Sequence, residues 1–274
     1  MITIKTYGKV LIIMSKEYKL YLKKIKINKL LVILCQILLI IILLIIWQFL
    51  ANKNIINTFI TSSPKRVINT VLSLYKEKNL FNNIWITIYE TIISFSLGTI
   101  LGLIITIILW YNEFIAKVID PYLTILNSLP KVSLGPILII WIGANIKAII
   151  TMSILVSVII TIINIYNGFN KTDKNKIYLL KSFNASKIQI LSYLIIPSNY
   201  NTIINSLKIN ISMSLIGVIM GELLVSKQGI GYLIMYGSQV FNLDLVISGI
   251  IILMIVSYIM YLIISYIEKV LIKD

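Results

Sequence analysis

Residues 168–199 read GFNKTDKNKIYLLKSFNASKIQILSYLIIPSN. The stretch is basic, helix-like and of mixed polarity, and long apolar runs flank it on both sides. Lys171, Lys174, Lys176, Lys181 and Lys187 keep it out of lipid. The flanking runs, 148–166 and 203–225, approach the roughly 20 apolar residues that a membrane-crossing helix needs. A chain that is otherwise mostly membrane has built one sizeable surface here, of the kind that meets a soluble partner.

Working outward, further apolar runs cover 30–50, 84–111, 119–142 and 245–267. The 274 residues are 58% hydrophobic, and the mean hydropathy is +0.95. These features describe an all-α integral membrane protein with about six transmembrane helices, the polar island lying between spans four and five. A β-barrel is excluded because the runs are continuous rather than short and alternating. Residues 1–29 are polar and lysine-rich, and the apolar run that follows is long and lacks a small-residue cleavage site. They read as a basic arm, an interfacial amphipathic helix or a disordered segment, rather than a cleaved signal peptide. The chain thus divides into an arm, 1–29, and a membrane domain, 30–274. Within the connection 51–83, Ser63-Pro64 reads as a helix start, with Val67, Val71, Leu74 and Tyr75 on one apolar stripe.

The formal charge is +15. On a soluble protein that excess would suggest nucleic acid; here the lysines flank spans, where they set orientation and meet anionic lipid. Eight lysines precede the first run, and five lie in the island. The bias places both termini in the cytoplasm, as an even number of spans requires. It leaves Lys53, Lys65, Arg66, Lys76, Lys78, Lys147 and Lys227 outside.

Catalytic chemistry has little to stand on. The chain has no histidine and one cysteine, Cys35, so neither a His-ligated metal site nor an intrachain disulfide is expected. No phosphate-cradling Gly-rich loop ending in Gly-Lys-Ser/Thr occurs. The third run is irregular: Asn127-Ser128-Leu129-Pro130-Lys131-Val132-Ser133-Leu134-Gly135-Pro136 sets two prolines and a lysine at membrane depth. Each proline removes a backbone donor. Broken backbone survives there only where protein buries it or a watery cavity receives it. Ser128, Pro130, Lys131 and Pro136 are therefore candidates for lining a solute path, with a packed, kinked helix as the competing explanation. Ser212 and Ser214 share a span with Asn205 and Asn210, where helix-to-helix packing competes with solute contact. Glu222 reads as a gate-side structural group, and Glu90 as an interfacial or ion-paired one. Gly98 and Gly102 form a G-x-x-x-G pattern, whose default meaning is close helix packing.

The island, with the motifs around it, resembles the permease subunits of binding-protein-dependent ABC importers. In that family the loop reads Glu-Ala-Ala, three residues, Gly, nine residues, then an apolar residue and proline. Here Tyr178-Leu179-Leu180 and Asn184 stand at the first two places. Ala185-Ser186-Lys187-Ile188-Gln189-Ile190 and Ile196-Pro197 fit. Asn tolerates a left-handed backbone, so its replacement of Gly is mild. Leu129-Pro130-Lys131, Gly135-Pro136, Trp141-Ile142-Gly143, Gly221-Glu222-Leu223-Leu224 and Gly229-Ile230-Gly231-Tyr232-Leu233 look like the branch importing nitrate, sulfonates, taurine or vitamin precursors. The resemblance spans about residues 60–270.

It implies a permease of the bacterial cytoplasmic membrane that works by alternating access. It also implies a cytoplasmic coupling loop at about 168–199, contacting an ABC ATPase through Lys181, Ser182, Phe183, Asn184, Ala185, Ser186, Lys187 and Pro197. Two ATPase copies, a second and identical permease copy, and an extracytoplasmic solute-binding protein are the implied partners. ATP and Mg would sit in the ATPase and no cofactor in this chain. A self-sufficient secondary transporter or channel is the rival reading, but it would be expected to show related halves and coupling charges within the membrane.

Overall fold

The structure is a computed structural model that describes residues 2–6, 9–13, 16–77 and 79–271. It divides at Lys65 into two units.

The first unit opens with strands β1 (Ile2–Thr6) and β2 (Lys9–Ile13), paired antiparallel with Ile2 opposite Ile13 and Thr6 opposite Lys9. Of the two readings drawn from the sequence, the helix holds for the arm from Lys16 onward, and neither accounts for this hairpin. Its Ile, Thr and Val residues favour the pleated backbone that the overall polarity of the arm concealed. Helix α1 (Lys16–Asn52) follows and contains the first span. It is apolar on every side from Leu30 to Ile46, with Gln36 the one polar interruption, which suits a helix surrounded by lipid. A short turn of helix, α2 (Thr58–Thr61), is capped by the Asn57 side chain.

The second unit begins with α3 (Pro64–Lys76), which buries Val67 and Leu74 and leaves Tyr75 exposed. Arg66 at its start binds Asp244 through Nε at 2.9 Å and Nη2 at 2.7 Å. Then come α4 (Asn79–Tyr111), α5 (Glu113–Ser128), a 3-10 turn (Lys131–Leu134) and α6 (Gly135–Ile142). The series continues with α7 (Ile146–Asn170), α8 (Lys174–Ser182), α9 (Lys187–Ile190), a π turn (Leu191–Ile195) and α10 (Ile196–Ser198). It closes with α11 (Tyr200–Val225), α12 (Ile230–Gln239) and α13 (Leu243–Leu271). Among the described residues five helices are long and apolar enough to cross a membrane, six if the bent pair α5–α6 is one crossing.

Helices α4, α7 and α11 form the centre of this unit. Their approach depends on small residues: a Cβ on Gly98 would collide with Ser157 Oγ, and one on Gly102 would meet Thr161 Cγ2 at 2.6 Å. The G-x-x-x-G pattern of α4 thus packs against α7, as expected from the sequence. Three of the hydroxyls that this seam buries are satisfied within their own helices. Thr91 donates to the Thr87 carbonyl at 2.7 Å, Thr106 to Gly102 at 2.7 Å, and Thr161 to Ser157 at 2.9 Å. Such back-bonding lets hydroxyls sit among apolar neighbours without an orphaned donor. On the other side, α12 and α13 bury Ile230, Leu233, Leu245, Ile252 and Val256 against α3 and α11.

Candidate functional site

The island folds as a helix, a stop, and a second helix start. Asp173 begins α8 by accepting the Asn175 N–H at 2.9 Å. The helix ends where the Asn184 N–H reaches the Lys181 carbonyl at 2.9 Å and the Ala185 N–H reaches Leu180 at 3.1 Å. This pair of bonds is a Schellman stop, and it needs a left-handed residue at its hinge. Asn184 supplies one, with φ of 56°. Two residues on, a new helix starts: Ser186 Oγ accepts the Gln189 N–H at 3.3 Å, and Gln189 Oε1 accepts the Ser186 N–H at 2.7 Å, a closed capping box. Ile190 and Ile195 are fully buried with Ile165 and Phe169 of α7, and Leu180 and Ala185 pack around them.

Of the contact residues that the resemblance implied, all are exposed except the half-buried Ala185, and several also shape the segment. Asn184 and Ser186 are used in caps, Ala185 packs inward, and Ser182 Oγ donates to the Leu179 carbonyl at 2.7 Å. Lys187 Nζ reaches back to the Tyr111 carbonyl at 3.2 Å and lies 5.1 Å from the Tyr111 ring, tying this segment to the end of α4. Lys181 lies over its own helix's Tyr178 ring. Pro197 sits in the first turn of α10, directly after the π turn. Phe183 is 73% exposed, and it shares the exposed surface of this segment with Tyr178, Leu179, Ile188 and Tyr193. Apolar side chains kept among lysines were the available signal for these four.

The chain bends by 94° between α5 and the turn–α6 unit, the geometry of a broken crossing or a re-entrant loop. Ser128, Pro130 and Lys131 gather at the bend, and Pro136 begins α6. Polar groups there are satisfied locally. Ser128 Oγ donates to Thr124 at 3.0 Å, Ser133 Oγ to Pro130 at 2.7 Å, and Lys131 Nζ to the Asn127 carbonyl.

At the opposite end of α11 from the island, three buried side chains grip the start of α12. Gly229, Ile230 and Gly231 present successive backbone N–H groups, the orphan donors of a helix start. Asn83 Oδ1 accepts the first at 2.7 Å, Thr87 Oγ1 the second at 2.9 Å, and Glu222 Oε2 the third at 2.6 Å. Thr87 in turn donates to Glu222 Oε1 at 2.7 Å. Gly229 has φ of 108°, and a Cβ there would strike the Glu222 carboxyl. The sequence pairing of Glu222 with Gly229-Ile230-Gly231 is therefore a latch between α4, α11 and α12. Glu90 makes no ion pair among the described residues: it is 2% exposed beside Glu222, and its Oε2 has no hydrogen-bond partner among them. The pairing of α4 with α11, which a local pattern does not carry, draws it inside.

Elsewhere on α11, Asn210 Nδ2 donates to Thr99 Oγ1 at 2.6 Å, and the Ser214 carbonyl accepts from Ser153 Oγ at 2.8 Å. Ser214 is fully buried in the seam with α7. Ser212 instead lines an open groove of about 640 Å³ between α11 and α13, with Ser257, Tyr258 and Tyr261. Lys208 pairs with Glu268, joining α11 to α13. The sequence reading passed over this ion pair, although an ionisable residue inside a predicted span was its signal.

The chain as a whole is similar to known transport proteins. The family model described as binding-protein-dependent transport system inner membrane component matches residues 97–273. A probable ABC transporter permease protein of Haemophilus influenzae is 28% identical, over 80% of this chain and 89% of that protein. A putative aliphatic sulfonates transport permease protein of Bacillus subtilis is 26% identical, over 85% and 84%. The formylaminopyrimidine transport permease protein of Halalkalibacterium halodurans is 25% identical, over 69% and 75%. Among solved structures, an inward-facing MetNI methionine ABC transporter shares the fold at a TM-score of 0.61 and 17% identity, covering 70% of this chain and 95% of that one. The chain belongs to the binding-protein-dependent transport system inner membrane component family, and is the permease subunit of an ABC importer.

Proposed function

We propose that residues 172–199 are the element through which a separate ATPase drives this permease. The observation that carries the reading is the division of that segment into two faces. Ile190 and Ile195 are locked into the bundle, whereas Tyr178, Leu179, Phe183, Ile188 and Tyr193 are presented outward. Large apolar groups clustered on an exposed segment are the mark of a docking surface. Phe183 is the central anchor, with Lys181 at the rim. Asn184, Ala185, Ser186, Lys187 and Pro197 give the segment its shape.

In this reading two copies of the chain pair in the membrane, each with one ATPase that holds ATP and Mg. Closure of the two ATPases drives the coupling segments and opens the path outward, where a solute-binding protein delivers its ligand. Both termini lie in the cytoplasm. Ser128, Pro130, Lys131 and Pro136 belong to the path, Ser212 lies in the groove beside it, and Ser214 and Glu222 set the helix positions that shape it. The relatives' names point to a small polar organic solute.

The test is co-purification. Phe183→Asp is expected to abolish ATPase association and solute-stimulated ATP hydrolysis, while the chain still inserts in the membrane at native level. Unchanged association would refute the docking assignment, and solute movement by the isolated chain down an ion gradient would refute the coupled reading.

A further inference from the structure

The two ends of the coupling segment are joined by a buried bond. Thr172 lies just before α8 and is 9% exposed; Asn199 lies between α10 and α11 and is 6% exposed. Asn199 Nδ2 donates to Thr172 Oγ1 at 2.7 Å and to the Ile195 carbonyl at 2.9 Å, so both of its amide hydrogens are used. The Asn199 carbonyl accepts the Ile203 N–H at 2.9 Å, as the first turn of α11 forms. One residue thus binds the start of the segment, its final turn, and the helix it feeds.

The position is one that needs such a device. Pro197 has no N–H to offer the preceding turn, and the π turn over Leu191–Ile195 widens the helix just before it. A chain with a wide turn, a proline and a helix break in succession would bend there unless held. The base is also tight, since a Cβ on Gly168 would meet Thr202 Cγ2 at 2.7 Å. We infer that Thr172 and Asn199 are positioning residues for coupling: their bond closes the segment into one rigid body that transmits the ATPase stroke to α11 rather than absorbing it. This rests on the docking role proposed above, and concerns transmission rather than attachment.

Two measurements on the full chain test it. In a Cys35→Ser background, spin labels at Lys176→Cys and Tyr193→Cys report the distance across the segment in nanodiscs. A narrow distribution is expected with Thr172 present, a broadened one with Thr172→Val, and a narrow one again with Thr172→Ser, which keeps the hydroxyl acceptor. An unbroadened distribution in Thr172→Val overturns the inference.

In proteoliposomes holding the importer purified with its native ATPase, Thr172→Val is expected to retain ATPase association and ATP hydrolysis. Solute moved per ATP should fall about tenfold, the effect of losing one buried hydrogen bond. Thr172→Ser should stay close to the native ratio. A native ratio in Thr172→Val refutes the positioning role, and so does loss of ATPase association in that variant. Failure of the unsubstituted chain to bind an ATPase overturns the docking role itself, and is seen before any substitution at Thr172.

Discussion

Thr87 is the residue on which the latch at α12 is best tested. Its hydroxyl donates to Glu222 Oε1 at 2.7 Å and accepts the Ile230 N–H at 2.9 Å, and both Thr87 and Ile230 are 0% exposed. Thr87→Val keeps the branched shape and removes both bonds. A buried donor left without a partner costs about 1–3 kcal/mol, and an ordinary buried hydrogen bond is worth about 0.5–1.5 kcal/mol. With both at mid-range, the start of α12 should lose about 3 kcal/mol of local stability. At roughly 1.4 kcal/mol per tenfold, amide hydrogens at Ile230 and Gly231 should exchange on the order of a hundred times faster. Amides in the middle of α7, which share no partner with Thr87, should be unaffected. Hydrogen exchange with mass spectrometry on the chain in nanodiscs reads both regions in one experiment. Unchanged exchange at 230–231 would refute the latch, and equal acceleration throughout would show that Thr87 serves general packing instead.

Three further outcomes are expected. Asn184→Gly should leave the helix stop intact, whereas Asn184→Val should destabilise it by about 1–2 kcal/mol through the left-handed backbone, measured by limited proteolysis of the segment. Gly98→Leu should sharply reduce folded yield by forcing α4 from Ser157, scored by size-exclusion chromatography in detergent. Glu268→Gln should destabilise the protein more than the double change Lys208→Met/Glu268→Met, because the single change strands the Lys208 charge in a half-buried place; thermal unfolding in detergent would rank them.

The parts legible in the sequence were those coded locally. Apolar runs placed the spans, Ser63-Pro64 placed a helix start, and Asn184 announced a left-handed hinge. Ser186 and Gln189, three residues apart, spell a capping box. The paired prolines marked the irregular third crossing, though not its angle, which is set by what α6 packs against. The rest depends on partners far apart in the chain. Lys187 looks free until Tyr111 is beside it, and Glu90 looks ion-paired until Glu222 is found beside it. Asn199 and Thr172 are 27 positions apart with no shared pattern. The terminal hairpin was hidden because lysine content overshadowed the β-branched residues of its strands.

The sharp bend between α5 and α6 has a consequence for biogenesis. At about 1.5 Å per residue, neither half is long enough to cross a hydrocarbon core of roughly 30 Å. Gly135, at the head of α6, fits against Met152 of α7 and Leu224 of α11. The second of these neighbours is synthesised 89 residues later. The bent region is therefore expected to complete its insertion only once α11 is made. Truncation before residue 225 should leave the region around Pro130 open to membrane-impermeant labelling, and extension past it should close that window.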